Sequence, residues 1–193
     1  VKAHEYYMRT RELKGRTSTA GLNEAGKSAA KYVREQLNNE KKEKINASRE
    51  ATNAQVSASS ESTKKSINSK REKMKATLES HKTEMNSKIS SLRQKIKSMT
   101  KEQKLRQGDA ILDEIAALRE ANNETRKELQ SQFSSDSSKL RESHRSTASS
   151  LREGHKQTSA AAKEEYNKKY EEELEKIKNT ASFKKVSKRR KKS

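Results

Sequence analysis

Residues 118–183 read, in blocks of eleven, LREANNETRKE, LQSQFSSDSSK, LRESHRSTASS, LREGHKQTSAA, AKEEYNKKYEE and ELEKIKNTASF. The first position of the block carries Leu118, Leu129, Leu140 and Leu151, then Ala162. The fifth carries Asn122, Phe133, His144, His155, Tyr166 and Ile177, and the eighth is mostly threonine: Thr125, Thr147, Thr158 and Thr180. Eleven residues over three turns is about 3.67 per turn, close to the α-helical 3.6, so one stripe stays on one face without the left-handed supercoil of a heptad. The stretch predicts a long, straight or slightly right-handed helix with a thin seam.

The same period extends backward through a second helical segment, from about Ala25 to Ser98. Ile45, Val56, Ile67, Leu78 and Ile89 lie one block apart. Met74, Met85 and Ile96 form a second line, and His81 and Leu92 a third. Before Ile67 the other seam positions are Thr, Ser and Lys, and the stripe thickens toward residue 99. Beyond it, Ile111, Leu112, Ile115 and Leu118 form the most apolar stretch of the chain. An antiparallel hairpin needs its apolar residues at the closed end, where the arms meet first; a rod has no reason to concentrate them in the middle. The expected fold class is all-α: long helices of an eleven-residue (hendecad) repeat in a coiled-coil-like antiparallel hairpin, favoured over a rod or separately disposed helices. At about 1.5 Å per residue each arm would be on the order of 100 Å long.

Local signals set the expected boundaries. Asn23 is a plausible N-cap, with Glu24 in the first turn of a helix starting near Ala25. Thr100-Lys-Glu-Gln103 is a capping box, in which the Thr hydroxyl and Gln side chain satisfy free amides at a new helix start. Gly108-Asp109 offers another break or N-cap. The divisions that follow are an irregular head over 1–27, a first long helix over 28–99, a turn region over 100–110, a second long helix over 111–183 and a basic tail over 184–193.

Composition pulls two ways. Leu, Ile, Val and Phe fill only about 13% of the 193 residues and the net charge is +19, a profile associated with disorder. Ala, Glu, Lys, Leu and Arg fill about half, with helical periodicity, the profile of long helices. The absence of proline removes the strongest helix breaker and decides for helix. With 27% hydrophobic residues the chain cannot build a globular core, so the helices should be marginally stable. There is no cysteine, hence no disulfide and no thiolate chemistry. No apolar run suits a membrane span or signal peptide, and the chain is expected in the cytoplasm, or assembled from it into something larger.

Catalytic chemistry is not legible. There is no phosphate-binding glycine loop, no G-x-S-x-G and no histidine–carboxylate grouping for acid–base work. His81, His144 and His155 fall on seam positions, but His144 and His155 are one block apart, about 16 Å along a helix, too far to share a metal. They read as polar-tolerant seam residues, with a pH-sensitive seam as the sharper idea. Lys–Glu mixtures such as 168–178 read as a solvated face with i,i+4 pairs. No cofactor or metal is expected, and the chain is not expected to be an enzyme.

The two ends carry what chemistry there is. In the head, three of the five glycines (Gly15, Gly21, Gly26) accompany Tyr6 and Tyr7. Tyr6, Tyr7, Leu13, Lys14 and Gly15 are candidate partner-binding residues, since aromatic anchors favour interfaces; a floppy terminus is the bland alternative. In the tail, KKVSKRRKKS, seven of ten residues are basic: Lys184, Lys185, Lys188, Arg189, Arg190, Lys191 and Lys192. A like-charge block of this density is expected to be disordered and to act as an interaction arm. Such residues neutralise phosphates and release counterions without reading sequence. An acidic protein is the other candidate partner, and a solubilising terminus the bland reading.

The head also resembles a known family. His4, then Leu13-Lys-Gly-Arg16, then Leu22-Asn-Glu-Ala-Gly-Lys27 and Tyr32 are similar to small structural proteins of tailed phages of Firmicutes. Those open with H-G-x-K-G-x-x-W-G-x-R followed by L-T-x-A-G-K-x-R-Y, with a long charged helical region usually after. Lys14, Gly15, Leu22, Ala25, Gly26, Lys27 and Tyr32 carry the match; the tryptophan and double histidine are missing. The resemblance implies a virion-associated or head-assembly role, with phage head or other virion proteins as partners. A cellular coiled-coil protein that binds nucleic acid through its tail is the competing expectation. Oligomeric state is open, with homo-oligomerisation through the seam one arrangement it permits.

Overall fold

The computed structural model describes residues 12–186. It holds two long helices, α1 (Glu24–Ser98, 75 residues) and α2 (Lys101–Asn179, 79 residues), then a 3-10 turn, Ala181–Phe183. The two helices pair in antiparallel fashion, as a hairpin requires. The chain divides into two compact units, one of Val56–Ser149 and one of Val1–Gln55 with Ser150–Ser193.

The Val56–Ser149 unit is closed by a two-residue link, Met99–Thr100. Thr100 makes the capping box: its amide donates to Gln103 Oε1 at 3.0 Å, and the Gln103 amide donates to Thr100 Oγ1 at 3.3 Å. The turn expected over 100–110 is therefore only the link itself, and α2 begins at Lys101, ten residues before the expected 111. Gly108-Asp109 lies inside the helix and breaks nothing. One helical glycine costs about 1 kcal/mol. Burying Ile111 and Ile115 on Ile89, with Met85, Leu92, Ile96, Met99 and Leu118 around them, outweighs that at about 1.5–3 kcal/mol per large apolar side chain. The apolar concentration at the closed end is thus the core it was expected to be.

In the other unit, α1 starts at Glu24 under an Asn23 cap, whose Oδ1 accepts from the Gly26 amide at 2.9 Å. Leu22, Ala30, Tyr170, Leu174 and Ile177 form a second core, flanked by Ala29, Val33, Leu37 and Phe183. The thin stripe before Ile67 gives no periodic sign of this core. The second helix also ends at Asn179 rather than 183.

The seam differs from the expected one in one line. First-position leucines and fifth-position side chains face the partner helix, but the third line is the ninth position: Ser137, Ala148 and Tyr170 are buried and Ser159 half-buried. Thr147, Thr158 and Thr180 are exposed and Thr125 half-buried. Thr125, Thr158 and Thr180 instead donate to carbonyls four residues back, on Ala121, Gly154 and Lys176. The stripe is centred on the fifth position; steps of four and four carry it to the ninth, past the eighth. On α1, His81 is exposed rather than in the seam, because its line runs along the seam's edge, where a polar ring turns to water.

Candidate interaction surfaces

The most constructed polar feature is a clasp between the start of α1 and the segment after α2. Asn23 anchors it three ways. Its backbone amide donates to Phe183 O at 2.9 Å, its Nδ2 donates to Ser182 O at 2.7 Å, and its Oδ1 caps Gly26. The opposite flip of this side-chain amide would set donor against donor and acceptor against acceptor. Leu22 and Lys184 form an antiparallel bridge, and the Lys185 amide donates to Gly21 O at 2.9 Å. Gly21 has φ of +86°, a backbone region that favours glycine. At Gly26 a Cβ would lie 2.9 Å from Phe183 Cβ and 3.0 Å from Phe183 O, so glycine is what lets the two segments touch.

The clasp bears directly on the residues singled out from sequence. Lys184 and Lys185 are tied through their backbones while their side chains stay exposed. Lys188, Arg189, Arg190, Lys191 and Lys192 lie outside the described residues, as do Tyr6 and Tyr7. Leu13 is half-buried, and its carbonyl accepts from Thr17 Oγ1 at 2.7 Å and from the Thr17 amide at 2.9 Å. Lys14 and Gly15 are exposed. Arg16 reaches Glu171 of α2 at 3.9 Å. The Gly21–Gly26 part of the head, expected to dock elsewhere, is thus occupied with this chain's own C-terminal segment. Sequence reasoning found the Asn23 cap but missed its second role and that of Phe183, because a pairing this distant leaves no periodic signal.

Further along the same unit, Leu37, Lys41, Lys44, Ala162, Glu165, Tyr166 and Lys169 line a shallow groove between the helices. Lys41 Nζ sits 4.1 Å from the centroid of the Tyr166 ring, which stacks on Tyr170 at 6.2 Å. Glu165 accepts from Lys44 at 2.6 Å and contacts Lys169 at 3.0 Å. Hydrogen bonds from these two ammonium groups hold its carboxyl down at about 2. Burial, and then the cations of Lys42, Lys163 and Arg34, lower the Lys41 value, while burial raises that of Tyr170. Glu165 is thus satisfied by two lysines, while Lys41 rests on the Tyr166 ring among other cations.

Two seam layers pair serine with histidine: Ser48 Oγ and His155 Nδ1 at 3.0 Å in one unit, and Ser59 Oγ and His144 Nδ1 at 2.9 Å in the other. Among the described residues no group of three or more His, Cys, Asp or Glu is placed to hold a metal, and no helix is long and apolar enough to cross a membrane. Comparison with known protein families, curated proteins and solved structures gave no match in any of the three.

Proposed function

We propose that this is a non-enzymatic structural or assembly protein of a tailed phage, a helical spacer whose head docks on a virion protein and whose basic tail contacts DNA. The observation that carries the reading is the clasp. It fixes Lys184 and Lys185 against Leu22 and Gly21, so the basic run 184–193 begins beside the head. A docking head and a charged arm then act at one place. The polar seam suits a spacer, whose task is length rather than a large core, and the head's resemblance to phage structural proteins supplies the setting.

The test compares the full chain with one stopped after Val186, which keeps the clasp and removes five cations. Binding to random-sequence duplex DNA is measured over a salt series. At about 0.9 per neutralised phosphate, the shortened chain should lose up to about 4–5 from the log–log salt slope. An unchanged slope removes DNA from the account and leaves an acidic protein as the tail's target. A locus carrying portal, terminase or capsid genes next to this one supports the phage setting, and a locus of cellular genes alone counts against it.

A further inference from the structure

The closed end of the Val56–Ser149 unit carries a run of exposed cations with two exposed leucines close by in sequence. Arg93, Lys95 and Lys97 end α1, and Lys101, Lys104 and Arg106 begin α2; all six are exposed, and Glu102 is the one acid between 89 and 108. Several lysines elsewhere on α1 lie against carboxylates a turn away, as in Lys64–Glu61, Lys75–Glu72 and Lys88–Glu84. Among the described residues no ion pair within 4.0 Å involves any residue from 89 to 135. The six cations are thus exposed and not neutralised by an ion pair among the described residues.

Two large apolar side chains stand beside them. Leu105, between Lys104 and Arg106, is 85% exposed, and Leu112 is 56% exposed. They are seven residues apart and share a face of α2, to one side of the face that buries Ile111 and Ile115. Asp109, exposed, lies on the same face between them.

From this we infer that residues 93–112 dock an acidic amphipathic helix of another protein. The phosphates of a nucleic acid would answer the cations but give Leu105 and Leu112 nothing, and an anionic headgroup layer offers no fixed cation to Asp109, which a helix can. A protein helix answers all three features. Its carboxylates meet the cations, an apolar stripe covers the leucines in the manner of helix-in-groove recognition, and a basic residue meets Asp109. The surface uses no residue of the clasp or the tail, and the inference stands whether or not the tail binds DNA.

The probe is a fluorescent helical peptide with leucines at i, i+3 and i+7, one lysine beside that stripe and glutamate elsewhere, titrated with the full chain. Binding should weaken at least about tenfold in L105S/L112S, and by a similar factor in K101Q/K104Q/R106Q, as expected for central anchors. It should also fall with added salt. All five positions are exposed, so the helical circular dichroism of both variants should match the parent. Absence of peptide binding, or binding indifferent to L105S/L112S, overturns the inference. Duplex DNA or phosphatidylglycerol vesicles bound through the three cations without help from the leucines would also overturn it. So would self-association that L105S/L112S abolishes, since a second copy would then cover the face.

Discussion

Ser59 of α1 and His144 of α2 meet in the seam at 2.9 Å, Oγ to Nδ1, and eleven residues away on each helix Ser48 and His155 repeat the pair at 3.0 Å. A coiled coil would place leucine or isoleucine in these layers. The partners satisfy each other, but such a hydrogen bond contributes only about 1 kcal/mol net, so the seam specifies register more than it stabilises.

An apolar layer should therefore strengthen the pairing. S59A/H144L is expected to raise the stability by about 1–2 kcal/mol from added apolar burial, seen as a higher urea midpoint with an unchanged denaturant slope. Urea titration followed by circular dichroism checks this; a midpoint at or below the parent's would mean the Ser–His layer is worth more than an apolar one.

Two glycines inside helices should respond in opposite directions to alanine. At Gly154 nothing lies within 4 Å of an added Cβ, so Gly154→Ala gains about 1 kcal/mol of helix propensity. At Gly26 the added Cβ meets Phe183 Cβ at 2.9 Å, Phe183 O at 3.0 Å and Leu22 Cβ at 3.2 Å. Overpacking of about 1–3 kcal/mol should cancel or exceed the propensity gain. Amide exchange at Lys185 and Asn23, whose N–H groups close the clasp, should speed up in Gly26→Ala and stay constant in Gly154→Ala.

Ser137 is 4% exposed and its hydroxyl has no hydrogen-bond partner. Leaving a buried hydroxyl unpaired costs about 1–3 kcal/mol, and alanine is the better helix former. Ser137→Ala should stabilise the Val56–Ser149 unit by about 1 kcal/mol. Thermal unfolding gives the answer, and a lower melting temperature would show that the hydroxyl is satisfied after all.

Glu165, held at about 2 by Lys44 and Lys169, links pairing to pH. Its folded value lies below the ordinary carboxylate value of about 4.3. The contribution is therefore fully present above about pH 4.3 and lost as the pH falls toward 2. Glu165→Gln should be the less stable form at neutral pH, and the two unfolding curves should converge over that acid range. Parallel curves from pH 7 to pH 2 would contradict this role for Glu165.

The period-eleven stripe, the Asn23 cap and the Thr100–Gln103 box were legible because each is written within one helical turn or one repeat. The closed-end core was legible from Ile89, Ile111 and Ile115 for the same reason. Choosing the ninth rather than the eighth position was not: threonine and small residues are both seam-compatible, and only the partner helix decides between them. The clasp was hidden because Asn23 and Ser182 are far apart in sequence and neither belongs to a stripe. Gly108 misled because a lone glycine reads as punctuation when its neighbours' burial is unknown.

The Met99–Thr100 link is too short to take up slack, and this limits how the chain can change its length. Within the Val56–Ser149 unit, deleting one eleven-residue block of α1 between Lys70 and the link keeps every side chain on its proper face, yet moves each deeper layer against the wrong neighbour, so that Ser59 would take the place of Lys70 beside Asp136 and leave His144. Only a matching deletion in α2 restores the correspondence. Viable length variants of this unit should therefore come as symmetric block edits in both helices, while single-sided insertions or deletions scramble every layer of the unit beyond the edit.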